Sequence, residues 1–410
     1  MQLRTRRTPP LSAARAVPLA LAALLAGACG GSSGSGEPVV TDSAGVAIVT
    51  NAAPAPGRID GWRVEPEPLL DVGSDESGPA GVFERVAGLI LLPDGGLVAG
   101  DEGAGEIRAF GPDGALRWRT GRSGDGPGEF RLLASLGAGP ADSIWVFDFG
   151  NRRFTLLDTS GALARTFDIG VSISAPSAVG RLADGRFVLR EMWGLPRGKG
   201  PQVTGMERDP AAIVALAADG TRLDTIAMYP GREVYVTVEN GRGVMSTPLF
   251  ARNTSVAVGD DRVLIGDQAA FAIDVLGADG AKRRSVRMSG LDLAIDGDVI
   301  RRTTDALLEH LPAAEREDRR RLLESLPGPP TMPAFGRILV APSGDIWVSQ
   351  HAPASLDPAA WTVFDADGRL LAVVAMPNRF QLEAVRGDRI AGVWRDEYDV
   401  EHVRVHTLSR

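Results

Sequence analysis

The sequence predicts an all-β fold, a six-bladed β-propeller with a small helical-hairpin insertion. Three observations predict it. Short β-like runs alternate with Asp-Gly turns that tend to come in pairs: Pro93-Asp94-Gly95 with Pro112-Asp113-Gly114, Ala183-Asp184-Gly185 with Ala218-Asp219-Gly220, and Pro342-Ser343-Gly344 with Ala366-Asp367-Gly368. Ala278-Asp279-Gly280 stands without a clear partner. The runs between turns are strand-length and apolar, as in Ile144-Trp145-Val146-Phe147, and glycine is abundant at 50 residues, which suits many tight turns. One stretch alone, 298–326, changes to helical spacing. A supersecondary unit copied along a chain is the mark of a propeller, in which each copy is a four-stranded blade.

The first residues read as an export signal. Arg4, Arg6, Arg7 and Arg15 form a positive leader, and 16–28 is apolar apart from Pro18. That run is too short to span a bilayer as a mature helix. It ends in Leu25-Ala26-Gly27-Ala28-Cys29, which resembles a bacterial lipobox, and Cys29 is the only cysteine. The expectation is a lipoprotein signal peptide over 1–28 and lipidation at Cys29. A flexible tether over 29–44 follows, Gly/Ser-rich at 30–36, then the propeller over 45–410. Glycine after the cysteine suggests sorting to the outer membrane. With one cysteine there is no intramolecular disulfide, so stability must come from core and topology. The formal charge is −8, and it becomes more negative once the leader arginines are removed. An acidic chain of this kind excludes nucleic acid as a partner held by charge, and leaves the lipid as the contact with the membrane.

Blade by blade, strands are expected near 85–92, 97–100, 106–110 and 115–119; 144–147, 153–157 and 163–167; 186–189, 212–216 and 222–228; 262–265, 271–276 and 282–286; 338–341, 345–349, 361–364 and 370–374; and 382–385, 390–394 and 400–407. The last blade is one strand short. Gly73 to Phe83 echoes Gly121 to Phe130, the segment that leaves the first blade, so 62–72 stands where an outer strand should be and is expected to close the ring. Residues 46–50 read as an extra edge strand. In the insertion, about 298–326, Val299, Thr303, Leu307, Leu311, Leu322 and Leu326 form a stripe expected to pack on the propeller rim, with Pro312 opening the second helix and Pro327 ending it.

Val146-Phe147-Asp148-Phe149-Gly150-Asn151-Arg152-Arg153 resembles the strand-turn-strand core of NHL repeats, and Gly126-Pro127-Gly128-Glu129-Phe130 resembles the segment between their blades. Pro333-Ala334-Phe335-Gly336 ahead of Gly344-Asp345-Ile346-Trp347-Val348 is similar. The chain thus resembles exported bacterial six-bladed propellers related to NHL-repeat proteins, over most of its mature length. Blades three and four lack the Asn/Arg part of the motif. The resemblance implies fold more than function, because propellers host binding modules, lyases, lactonases and scaffolds.

Two groups of residues are candidates for a site. Asp101, Asp148, Glu191 and Asp267, followed by Gln350 and Asp396, stand at or just past the end of the second strand in successive blades. Equivalent positions in a ring share one level, so these carboxylates could hold a divalent cation or a cationic ligand. The competing reading is that each bonds the backbone of the next turn. The third-blade excursion gathers Arg190, Glu191, Arg197, Lys199 and Arg208 around Trp193, and the next loop adds Tyr229, Arg232, Tyr235 and Arg242. Arginine and aromatic side chains on loops above a propeller face are the chemistry of a binding site. No convincing catalytic set appears. The expected function is a lipid-anchored binding or scaffold module for a protein or small ligand. The alternative is a propeller lyase or hydrolase built on a central divalent cation.

Overall fold

The computed structural model describes residues 37–54, 61–73, 81–170, 173, 175–191, 204–239, 242–309, 311–351 and 360–410. Six sheets each contain an antiparallel meander, and we label them A to F in chain order. Sheet A is Val86–Leu91, Leu97–Asp101, Glu106–Phe110 and Leu116–Thr120, and sheet B is Leu133–Ala138, Ile144–Asp148, Arg153–Leu157 and Leu163–Asp168. Sheet C is Pro176–Arg181, Phe187–Glu191, Pro210–Leu216 and Arg222–Pro230, and sheet D is Ser255–Val258, Arg262–Gly266, Ala272–Gly277 and Lys282–Ser289. Sheet E is Ile338–Val340, Ile346–Ser349, Ala360–Phe364 and Leu370–Ala375, and sheet F begins Phe380–Arg386, Arg389–Arg395 and Glu401–Ser409. A seventh, three-stranded sheet joins Gly205–Glu207, Val234–Glu239 and Arg242–Ser246.

The repeated turns share one geometry. At the first, the Gly95 N–H donates to the Leu92 carbonyl at 3.0 Å, the Leu92 N–H donates to Gly96 O at 2.9 Å, and the Asp94 carboxylate accepts the Gly96 N–H at 2.9 Å. Gly95 has φ +89°, a conformation that only glycine adopts without strain. The same bond pattern recurs at Gly114, Gly185, Gly220, Gly280 and Gly368. The turn at Gly280 does have a counterpart in sheet D. It is the Gly259–Arg262 hairpin, built without an Asp-Gly pair.

Strand direction then sorts the connections. In a four-stranded meander the turns between strands 1 and 2 and between 3 and 4 lie on one face. The turns between strands 2 and 3, and the links to the next sheet, lie on the other. All the Asp-Gly turns fall on the first face. The long connections fall on the second: the one within sheet C, the C-to-D link carrying the three-stranded sheet's hairpin, and the D-to-E link carrying the helices.

The core is divided among the sheet-to-sheet interfaces. Six apolar clusters draw on sheets A and B, B and C, C and D, D and E, E and F, and F and A. The first strand of each sheet also touches the first strand of the next, and Phe380–Arg386 of sheet F touches Val86–Leu91 of sheet A. Contacts therefore return to their starting point. Sheet F is completed from the N-terminal side: Leu70–Val72 and Arg63–Val64 both pair antiparallel with Glu401–Ser409, where 62–72 was expected to close the ring.

Two expectations need correction. Residues 39–43, expected within the tether, form the strand Val39–Ser43, which hairpins onto Val46–Ala52 because Ala44 and Gly45 take positive φ. The edge strand at 46–50 runs to Ala52 and pairs parallel with Lys282–Ser289, extending sheet D. Asn51, 2 % exposed, fixes it there by donating to Gly368 O and accepting the Leu370 N–H, both at 2.9 Å. The insertion is a helical pair, α1 (Gly297–Glu309) and α2 (Ala313–Ser325), with Pro312 at the start of α2 as expected. Of the expected stripe only Thr303 is buried. Thr303, Thr304, Ala306, Leu308 and Leu323 are buried, whereas Leu307 and Leu322 are 41 % and 38 % exposed. α1 buries Thr304 and Ala306 beside Thr303 and Leu308, so its buried side is turned from a stripe drawn mainly through Leu307 and Leu322. Among the described residues no helix is long and apolar enough to cross a membrane.

Candidate functional site at the channel mouth

The first strands surround an open channel. Their sequences, LASLGA, PSAVGR and SVAV, are small and weakly apolar, because one side faces the channel and the other must fit a crowded neighbour. At Gly180 of sheet C, for example, a Cβ would lie 2.6 Å from Val258 Cβ of sheet D. One part of the channel, about 750 Å³, is lined by Ser135, Ser177, Arg190, Asn253, Gln268, Arg337 and Glu383 among others. Several of these stand at the starts of first strands or the ends of second strands, so this part opens on the face that carries the long connections. Toward the turn face the lining changes to Asp142, Arg181, Asp260, Asp261, Arg262 and Arg386, an even balance of charge. These arginines serve the fold: Arg181 Nε donates to Gly185 O at 3.1 Å, Arg262 Nη1 to Ala366 O at 3.0 Å and Arg386 Nε to Leu91 O at 2.8 Å.

At the mouth, Arg337 and Glu383 join sheets E and F through two parallel bonds, Nη1 to Oε1 at 2.7 Å and Nη2 to Oε2 at 2.9 Å. Burial works against the Arg337 charge, but the Glu383 bonds and charge outweigh it and hold the guanidinium above its ordinary value. Arg190 is placed differently. Its Nη1 donates to the Thr254 carbonyl of sheet D, no carboxylate among the described residues pairs with it, and burial pushes its guanidinium down.

The strand-end carboxylates do not converge on the channel. Asp101 is fully buried and accepts the Glu84, Arg85 and Ala104 N–H groups at 3.2–3.3 Å, with Arg108 Nη2 at 3.0 Å. Asp148, also fully buried, accepts the Arg131, Leu132 and Asn151 N–H groups at 2.9–3.1 Å and Asn151 Nδ2 at 2.8 Å. Asp267 accepts the Ala269 N–H at 3.0 Å and lies 3.8 Å from Arg208, and Glu191 lies 3.8 Å from Arg222. Asp396 accepts the Tyr398 and Val400 N–H groups at 2.8 and 2.9 Å. These carboxylates tie turns and strand starts together, and in sheets D and E the same task falls to Gln268, which accepts the Asn253 N–H at 2.9 Å, and to Ser349, which accepts the Arg337 N–H at 2.7 Å. Among the described residues no three His, Cys, Asp or Glu side chains are grouped to hold a metal ion.

Of the loop residues, Arg208 is spent on structure. It donates to Gly231 O at 2.8 Å and Asp267 O at 2.6 Å beside Glu233, which also lies 3.7 Å from Arg252. Tyr229 donates to Asp274 at 2.9 Å, and burial pushes its phenol far up. Arg232 is exposed and donates to Thr247 Oγ1 at 2.5 Å, and Tyr235 is half-buried in the three-stranded sheet opposite Ser246. Both belong to the C-to-D link on the mouth's face, and neither lines the channel. Cys29, Trp193 and Arg197 lie outside the described residues. Ser177, Asn253, Arg337 and Glu383 carried no motif. Only the meeting of first strands from different sheets brings them together.

No family model and no curated relative matches the chain. Among solved structures, a protein described as exported from Bacteroides fragilis is similar at TM-score 0.50 and 12 % identity, covering 88 % of this chain and 99 % of its own. A member of the DUF4221 family from Bacteroides vulgatus is similar at TM-score 0.50 and 10 % identity, covering 86 % and 100 %. A virginiamycin B lyase from Staphylococcus aureus covers 85 % and 99 % at TM-score 0.43 and 10 % identity, too distant to carry an argument. The likenesses support a β-propeller fold and go no further.

Proposed function

We propose that this chain is a six-bladed propeller, similar to NHL-repeat proteins, exported and lipid-anchored through Cys29 to the bacterial envelope at the outer membrane. It acts as a binding module at the channel mouth, performing no chemistry. The cyclic order of first-strand contacts and the six intersheet cores support the blade count. The observation that carries the binding reading is the open mouth of about 750 Å³ on the face that collects the long connections. Pockets of this size, with a few polar groups in a fixed wall, take small ligands. Arg232 and Tyr235, in the C-to-D link on the same face, are proposed as accessory contacts.

The test uses the full chain in detergent, incubated with an envelope extract, repurified and examined by native mass spectrometry and elemental analysis. A retained small molecule, lost when Ala134→Trp fills the channel wall, is expected. Retention indifferent to that substitution would overturn the binding site. A stoichiometric divalent cation whose chelation lowers thermal stability would instead favour the lyase or hydrolase reading. Metabolic labelling with a fatty acid, lost in Cys29→Ala, tests the anchor.

A further inference from the structure

At the channel mouth Arg190 makes a single carbonyl bond and has no carboxylate partner among the described residues. Arg190 and Ser177 are directly opposed in adjacent strands of sheet C, so their side chains leave the same side of the sheet. Arg190 reaches across to the carbonyl of Thr254, next to Asn253. Arg190, Ser177 and Asn253 all line the same cavity. The Arg190 bond to Thr254 uses one guanidinium nitrogen, and no described group accepts from the others. The Asn253 carboxamide and the Ser177 hydroxyl have no described partner, although both residues are only partly exposed. The contrast with Arg337 is direct, since Glu383 saturates that guanidinium in two bonds.

We propose that Arg190, Ser177 and Asn253 form a subsite for the carboxylate of a small organic acid. A planar guanidinium fork matches a planar carboxylate, and an amide N–H and a hydroxyl complete the set of donors. In a chain of net charge −8, a cation with no counter-ion among the described residues inside a channel favours an anion there. Burial lowers the Arg190 guanidinium, the mark of a charge that has lost water without gaining a partner, and a bound carboxylate would supply one. The proposal rests on the channel mouth being a binding site and names the chemistry bound there.

The full chain in detergent would be titrated calorimetrically with acetate, succinate and citrate, against acetamide and sodium chloride at matched ionic strength. Saturable binding of at least one carboxylate in the millimolar range or tighter is expected, with none for acetamide. Arg190→Gln should weaken it about ten- to a hundredfold, the loss of a charge-assisted pair. If that variant folds poorly, Ser177→Asp decides: a carboxylate built opposite Arg190 should occupy the guanidinium, leave thermal stability unchanged or higher, and abolish binding. No saturable carboxylate binding, or binding unchanged in Ser177→Asp, would overturn the subsite. If those titrations fail while the retained molecule is still lost in Ala134→Trp, the mouth binds a different class of ligand. If both fail, the binding reading falls as well.

Discussion

Val72 stands directly opposite Val403, and with Leu70 opposite Val405 it makes the N-terminal segment the outer strand of the last sheet. All four side chains are buried, 8 % exposed at most, in the cluster shared by sheets F and A. A sheet finished by segments from the N-terminal and C-terminal parts of the chain converts a string of local meanders into one cooperative unit. No covalent staple assists, so the apolar contacts of two residues, Leu70 and Val72, matter more than their number suggests.

Leu70→Ala tests this. It leaves a cavity in a wall formed by strands from both ends of the chain, and large-to-small core changes of this kind cost about 2–5 kcal/mol. Urea unfolding followed by circular dichroism should show a lower midpoint in a single transition. A loss under about 1 kcal/mol would mean that the outer strand is only loosely attached.

The sequence made the outer parts of each sheet legible and the inner parts much less so, for one physical reason. Turns such as Asp94-Gly95 advertise themselves because only glycine accepts the required φ, and strands such as Ile144–Asp148 are buried on both faces and read as apolar runs. First strands such as Leu133–Ala138 and Pro176–Arg181 pack on one face and meet the channel on the other, so they are made of small residues with weak strand preference. The candidate site lies on those strands. Arg190 stood out as a charge, but Ser177 and Asn253 did not. The strand-end carboxylates showed the opposite fault. Their common level in the ring was legible, but whether a carboxylate turns to the axis or to a neighbouring N–H depends on the backbone at the next strand's start, which composition does not reveal.

The echo between Gly73–Phe83 and Gly121–Phe130 has a steric basis. A Cβ on Gly121 would lie 2.7 Å from both Phe130 Cε2 and the Gly105 carbonyl, and a Cβ on Gly73 would lie 2.4 Å from Phe83 Cδ2. Both glycines have positive φ, +97° and +99°, and both phenylalanines are buried. Gly121→Ala should therefore destabilise by more than the usual helix or strand penalty, about 2 kcal/mol or more, since backbone strain and overpacking act together. Differential scanning calorimetry would register a lower Tm for this variant. A Tm equal to wild type would show that the ring yields freely.

Asp148 and Asp267 were alike in the sequence and are unlike in the structure. Asp148→Ala strands the part-buried Arg131, Leu132 and Asn151 amides, and a fully buried unmet donor costs about 1–3 kcal/mol, so the three together should cost about that much. Asp267 is 33 % exposed and holds one turn, so Asp267→Ala should cost well under half as much. Denaturant titration of both variants with and without a chelator gives the comparison. Equal losses that vanish on chelation would restore a metal role for these carboxylates.

Acid sensitivity should begin at the closing strand. His406 is 2 % exposed and packs edge-on against Phe380, with ring centroids 5.2 Å apart. Its Nδ1–H donates to the Glu65 carbonyl at 2.9 Å, which leaves Nε2 as the unprotonated nitrogen, buried and without a partner. Burial is the main cause holding its pKa below the usual 6.5; the Glu65 bond and the charges of Asp71 and Glu67 oppose the shift, and Arg404 adds to it. Burial lowers His351 in the same direction. The unfolded chain thus takes up these protons before the folded one does, so stability falls as the pH drops below about 6.5 toward the folded-state pKa. The carboxylates whose pKa values are lowered, Asp94 and Asp184 among them, act from the same side but only near and below the ordinary aspartate value of 3.8. A pH series of urea midpoints between 7 and 5 should slope downward toward acid, and His406→Phe, which keeps a ring against Phe380 and removes the titration, should flatten part of that slope while His351 keeps the remainder. A slope unchanged in the variant would place the acid-sensitive group elsewhere.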